Sequence, residues 1–335
     1  MNKKSKFWPW ALAWLILAIL SCYIRLYPLR SHMWDNFNEQ ATLAVFYAPL
    51  FIYALVLIAF LWVCRLSNFS VVASFVGALF LVMAPINLKH GSLGWFGTDP
   101  YNILFPLLLL GCLFLALRPA SKRDGYLWAI IFGLTLSVYA LFGQGWGLLF
   151  FMGASCALGA AAYNFFIKKD PLHARQNLLF LPIFIGTTIL VVSVCFSFRD
   201  LWPNLFMAAG ELKKTSFISI TTSAGGPVFM LLAFGGWIYS LRMALQGFRQ
   251  ARAMDTLILT IFLIVTMVLS LSGERFILFT TIPLSVLAAA ATHRFISLKS
   301  VGLPLAGLLI ALILFNADRD IRTVLTPLQT AHLKP

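Results

Sequence analysis

The chain has 335 residues, 61% of them hydrophobic and only 11% charged. Soluble domains carry about 25% charged residues, so a soluble enzyme or binding module is excluded, and a polytopic helical membrane protein fits. The net charge of +14 does not point to nucleic acid, because the cations punctuate the ends of apolar runs.

Long apolar stretches recur from end to end, many of about 18 residues or more, as membrane-spanning helices require. The opening, "MNKKSKFWPWALAWLILAILSCYIRLYPL", has the basic start of a signal peptide. Its apolar part is long, however, and it has no small-residue cleavage site. It is expected to be the first spanning helix, retained in the mature chain. Further helices are expected at roughly 44–64, 68–88, 101–117, 125–143, 146–166, 177–197, 227–246, 255–272, 276–292 and 302–316, about eleven in all when the first, at 7–28, is included. The expected fold class is therefore all-α, a polytopic transmembrane bundle forming a single domain over 1–335 with no soluble domain. Cys22, Cys64, Cys112, Cys156 and Cys195 all lie inside apolar runs without metal-ligand spacing, and read as small buried apolar residues.

Lys and Arg accumulate on one side of this helix plan, which the positive-inside rule makes cytoplasmic. The acids collect on the other. Asp35, Glu39, Asp99, Asp200, Glu211, Glu274, Asp318 and Asp320, eight of the eleven carboxylates, fall on the outer side. The acids either simply avoid the inner loops, or the outer loops converge on a polar site.

Three outer segments carry the residue types such a site needs. In "SHMWDNFNEQATLAVF", Asp35 and Glu39 are four apart and would share a helix face. They suit a divalent cation or a general base, or else a solvated loop. In "GSLGWFGTDPYNILFPLLLL", Lys89, His90, Thr98 and Asp99 gather before the fourth helix. Gly91, Gly94 and Gly97 permit close approach of a ligand. Asp99 directly precedes Pro100, so it also reads as an N-cap; cap and ligand roles are compatible. In "LSGERFILFTTIP", Arg275 stands at the mouth of the tenth helix. It suits bidentate phosphate binding or interfacial anchoring.

Taken together, these segments resemble a family. "GWFGTDPYNILFPLLLL" is similar to the second acidic motif of the oligosaccharyltransferase catalytic subunits, a G-x-x-D-T-D-like turn. "ERFILFTTIPLSVLAA" resembles that family's R-F-x-x-x-x-x-P segment. "GLTLSVYALFGQGWGLLFF", with Gln144, Gly145 and Trp146, resembles its W-x-G-W segment, and "MWDNFNEQ" stands where its first-loop aspartate lies. The resemblance covers most of residues 20–315 and implies a C-type glycosyltransferase in the inner (cytoplasmic) membrane with its active face periplasmic. It implies a glycan donor linked to polyprenyl phosphate or pyrophosphate, a protein or other acceptor, and a divalent cation (Mg or Mn). By position, Asp35 and Asp99 would hold the cation and act in catalysis with Glu39, while Arg275, His90 and Lys89 would bind the donor phosphates.

Departures from the pattern shape the expectation. Gly97 stands where the D-x-D has its first aspartate. Thr222, in "FISITTSAGGP", stands where the family has a glutamate. The family's outer C-terminal domain and W-W-D-x-G motif have no counterpart before "NADRDIRTVLTPLQTAHLKP", so a separate acceptor-binding subunit is an expected partner. The alternatives are a C-type glycosyltransferase acting on a lipid or polysaccharide, and a degenerate non-catalytic relative or transporter of lipid-linked substrates.

Overall fold

A computed structural model describes residues 41–91, 99–118, 121–142, 145–195, 215–246, 250–297, 304, 306–311 and 313. The expected helices at 7–28 and most of 302–316, together with Asp35, Glu39, Gly97, Thr98, Gln144 and Glu211, lie outside the described residues. The described helices are α1 (Ala41–Leu66), α2 (Val71–Met83), α3 (Pro85–Gly91), α4 (Tyr101–Leu117), α5 (Lys122–Phe142), α6 (Trp146–Ala162), α7 (Pro171–Cys195), α8 (Phe217–Ala224), α9 (Gly226–Leu245), α10 (Gln250–Ser272) and α11 (Phe276–Ser297). No strand occurs among the described residues. The protein is an all-helical membrane protein.

Among the described residues five helical stretches are long and apolar enough to cross a membrane: Trp146–Ile167, Pro171–Ser193, Gly226–Leu245, Ala253–Ser272 and Phe276–Ser297. Phe51–Leu66, Val71–Met83 and Tyr101–Leu117 are apolar but shorter. The expected single helix over 68–88 is two. Ala84 closes α2 with extended backbone, φ −54° and ψ 127°, because Pro85 disfavours helical geometry in the residue before it. Conversely α7 starts at Pro171, earlier than expected. Asp170 Oδ1 accepts a hydrogen bond from His173 N at 3.1 Å, and Asp-Pro is a cap followed by the residue favoured at the first helical position.

The chain divides into two compact units. The first comprises Met1–Leu104, Ser216–Gly236 and Leu284–Pro335; the second comprises Phe105–Thr215 and Trp237–Pro283. In the first unit, small residues let helices touch through their backbones, the packing that membrane bundles favour because lipid supplies no hydrophobic drive between helices. A Cβ on Gly77 would stand 2.7 Å from Ser285 O, and one on Gly236 would run into Leu287 O. Phe80 and Phe229 stack at 4.4 Å. At one end of this unit Ser70 N donates to His293 Nδ1 at 3.1 Å, tying the α1–α2 turn to α11.

In the second unit α5 packs on α7. A Cβ on Gly133 would meet Phe184 O at 2.9 Å, and Phe132, Phe180 and Phe184 interleave at 4.9–5.4 Å between centroids. Helices α10 and α11 are joined across their buried faces by Ser270 Oγ and Thr280 Oγ1, 2.7 Å apart.

The glycine contacts carry a direct expectation. Gly236→Ala drives a methyl group into the fixed Leu287 carbonyl, and nothing flexible is there to yield. The variant should lose stability by about 1–3 kcal/mol, the usual range for overpacking, and melt earlier in detergent. Gly235→Ala, whose Cβ meets nothing within 4 Å, should melt as the wild type.

Candidate functional site

In the first unit the expected site residues lie on α3 and before α4. Within α1, Tyr53 is fully buried and its hydroxyl donates to Asn87 O at 2.9 Å. Asn87 Nδ2 in turn donates to Leu81 O at 2.5 Å. Asn87 thus pins the α2–α3 joint, and α3 presents an exposed Lys89. His90 follows in the last turn of α3. Sequence reasoning passed over Asn87, although an asparagine inside an apolar run was the available signal.

Asp99 is half-buried immediately before Pro100 and α4. Its Oδ1 accepts from Asn102 Nδ2 at 3.4 Å, three residues on. The side chain therefore reaches over the first turn of α4, as an N-terminal acid does.

The short helix α8 was not expected. It packs against α3, so the "FISITTSAGGP" segment and the helix bearing Lys89 and His90 are brought together. Ser216 Oγ caps it by accepting from Ser219 N at 3.1 Å. Gly225 ends it at φ 128°, a left-handed backbone that glycine alone adopts readily. Thr222, exposed on α8, turns its hydroxyl on its own helix, donating towards Ile218 O at 3.1 Å and Ser219 O at 3.0 Å.

In the second unit the expected Arg275 lies where α10 gives way to α11. Gly273 is buried, Glu274 and Arg275 are exposed, and Phe276 begins α11. Phe276 N donates to Gly273 O at 3.1 Å, Ile277 N to Glu274 O at 3.0 Å and Leu278 N to Arg275 O at 3.3 Å. These bonds fix Arg275 at the N-terminal turn of α11, where the helix end itself favours anions. The same unit places Gly145, from the expected W-x-G-W segment, against Tyr139 and Phe279. A Cβ at Gly145 would stand 2.7 Å from both the Tyr139 hydroxyl and the Phe279 ring.

No group of three or more His, Cys, Asp or Glu side chains that could hold a metal ion occurs among the described residues. Of the expected cation pair Asp99 is described and Asp35 lies outside the described residues.

No protein-family model matches the sequence, and no curated protein matches it. Solved structures do. An Archaeoglobus fulgidus oligosaccharyltransferase, AglB, in complex with an inhibitory peptide and a dolichol-phosphate, aligns with 97% of this chain and 56% of its own, at 12% identity and a TM-score of 0.65. The oligosaccharyltransferase of the same organism tethered to an acceptor peptide containing the NVT sequon aligns with 92% of this chain and 46% of its own, at 12% identity and a TM-score of 0.60. Its complex with Zn and sulfate aligns with 84% and 41%, at 13% identity and a TM-score of 0.57. The chain spans about half the length of the structures it matches. Its fold is that of the aligned part of these oligosaccharyltransferase structures.

Proposed function

We propose that the protein is a membrane glycosyltransferase that moves a glycan from a polyprenyl-(pyro)phosphate donor to an acceptor at the outer membrane face, in the manner of an oligosaccharyltransferase. The observation that carries this reading is the shared fold along 97% of the chain, together with the order of the motif-bearing segments. Asp99 opens α4, Gly145 and Trp146 open α6, and Arg275 opens α11. One matched structure holds an inhibitory peptide and a dolichol-phosphate and another an acceptor peptide, which supports a lipid-linked donor and a peptide acceptor for this chain.

In this proposal Arg275 clamps the donor phosphates with its planar fork, assisted by Lys89 and His90. Neutralising phosphate charge makes lipid phosphate a better leaving group. Asp99, with Asp35 and Glu39, receives the proton from the acceptor and orients it. A divalent cation belongs to the same reading, with Asp35 and Asp99 as its holders and Mg or Mn as the ion; when bound it would add charge neutralisation. The site faces the periplasm and the chain lies in the inner membrane as a single transmembrane domain.

A second reading is favoured by Thr222. Its hydroxyl is spent on its own helix, and no carboxylate stands at that position, so recognition of an asparagine acceptor loses a residue. A lipid or polysaccharide acceptor needs no such residue, and a separate subunit supplying acceptor contacts would also restore it.

The test is transfer from a polyprenyl-linked glycan to a sequon peptide, a lipid and a polysaccharide, each with and without chelator. Asp99→Asn keeps the side chain's shape and removes the charge. It should cut transfer at least about tenfold, toward the 10²–10⁴ range of lost acid–base function, with melting unchanged. Unaltered transfer would reduce Asp99 to a helix cap, and no transfer to any acceptor would favour the non-catalytic relative.

A further inference from the structure

The second unit carries a basic recess remote in sequence from the residues assigned above. Ala116 near the end of α4, Lys122, Gly125 and Tyr126 at the start of α5, and Gln176 and Phe180 near the start of α7 line a small, partly open surface recess. Lys122 is exposed and forms no recorded ion pair among the described residues; the same holds for Arg123, Lys168, Lys169 and Arg175. Of the nearby acids, Asp124 stands in the same first turn of α5 as Lys122, and Asp170 is taken up locally. Its Oδ2 lies 2.6 Å from His173 Nδ1, and the His173 backbone N–H holds its carboxyl below the usual carboxylate range. Asn177, beside Gln176, is buried, and its Nδ2 has no hydrogen-bond acceptor among the described residues.

The chain entering α7 is shaped for an interface. Helix α6 ends in a wide π turn, Tyr163–Ile167, and Lys169 takes a left-handed φ of 54°. Phe165, Phe166 and Ile167 are 56%, 73% and 68% exposed, and Lys168 and Lys169 follow directly. Exposed aromatic and aliphatic side chains adjoining lysines mark the level at which acyl chains give way to headgroups. A basic pocket between helices at that level suits a lipid phosphate.

We propose that this recess binds the headgroup of an anionic phospholipid. Lys122 supplies the charge, and Tyr126 and Gln176 supply hydrogen bonds to the phosphate oxygens. The Phe165–Ile167 edge sits in the acyl chains of the same leaflet. This leaflet is opposite to the one in which the proposed transfer occurs, so the site is distinct from the donor's.

The experiment uses the full chain reconstituted in vesicles of equal parts phosphatidylcholine and phosphatidylglycerol, with retained lipid read by native mass spectrometry. The wild type should retain phosphatidylglycerol in preference. Lys122→Gln should lower that retention about fivefold, the effect of one cation near an anionic surface, and Lys122→Arg should restore it. Arg242→Gln, an exposed cation at the end of α9, should change nothing. Equal loss in Lys122→Gln and Arg242→Gln would overturn the proposal in favour of diffuse charge, as would unchanged retention in Lys122→Gln. Displacement of the lipid by inorganic phosphate would overturn it too, by showing a free-anion site. Should Lys122→Gln melt early, Tyr126→Phe removes one hydroxyl only, and undiminished retention there would also overturn it.

Discussion

Arg118→Ala should be among the most destabilising single substitutions in the second unit. Arg118 Nη1 lies 2.9 Å from Asp255 Oδ2, with the two side chains only 14% and 7% exposed. The guanidinium also sits over the Phe114 ring at 5.4 Å. Truncating the arginine leaves the Asp255 charge buried without its cation, and breaking a buried pair this way costs about 3–5 kcal/mol. Since whole domains are stable by only about 5–15 kcal/mol, the melting transition should fall sharply. The double variant Arg118→Met, Asp255→Leu removes both charges and should recover most of the loss, because apolar replacements of a buried pair are often neutral. Thermal unfolding in one detergent for wild type, single and double variants checks this. A single variant as stable as the wild type would show that water reaches and screens the pair.

Arg275→Ala should abolish tight binding of a polyprenyl phosphate while leaving the fold intact. The side chain is exposed, and exposed positions usually change stability by no more than about 0.5 kcal/mol. Its backbone is held at the first turn of α11 by the Leu278 N to Arg275 O bond of 3.3 Å, independent of the side chain. Arg275→Lys keeps the charge but loses the planar fork. It should weaken donor binding by about 1–3 kcal/mol, the scale of hydrogen bonds to charged groups, and alanine should weaken it further. Donor binding in nanodiscs is the measurement, with melting as the control. Equal affinity in all three proteins would leave Arg275 as an interfacial anchor and remove the donor from this part of the proposal.

How much of this was legible in the sequence differs from element to element. Helices α4, α5, α6, α9 and α11 were expected within a few residues of their ends, because in an apolar run shielded from water a helix satisfies every backbone N–H and C=O internally. The break at Ala84 and the early start of α7 at Pro171 were also written locally, in Pro85 and in Asp170-Pro171. An unbroken apolar run masked the first, and the polar "KKDPLHAR" stretch masked the second.

What the sequence by itself determined is the class of the protein and the order of its motif-bearing segments, since apolar length, proline and cap residues act over a few positions. Only the tertiary structure decided which segments meet. That α8 lies on α3, that Gly236 touches Leu287 O, and that Arg118 finds Asp255 137 residues away depend on side-chain volume and charge matching across helices. Within a membrane those choices carry no strong periodic signature, because lipid-facing and helix-facing positions are alike apolar.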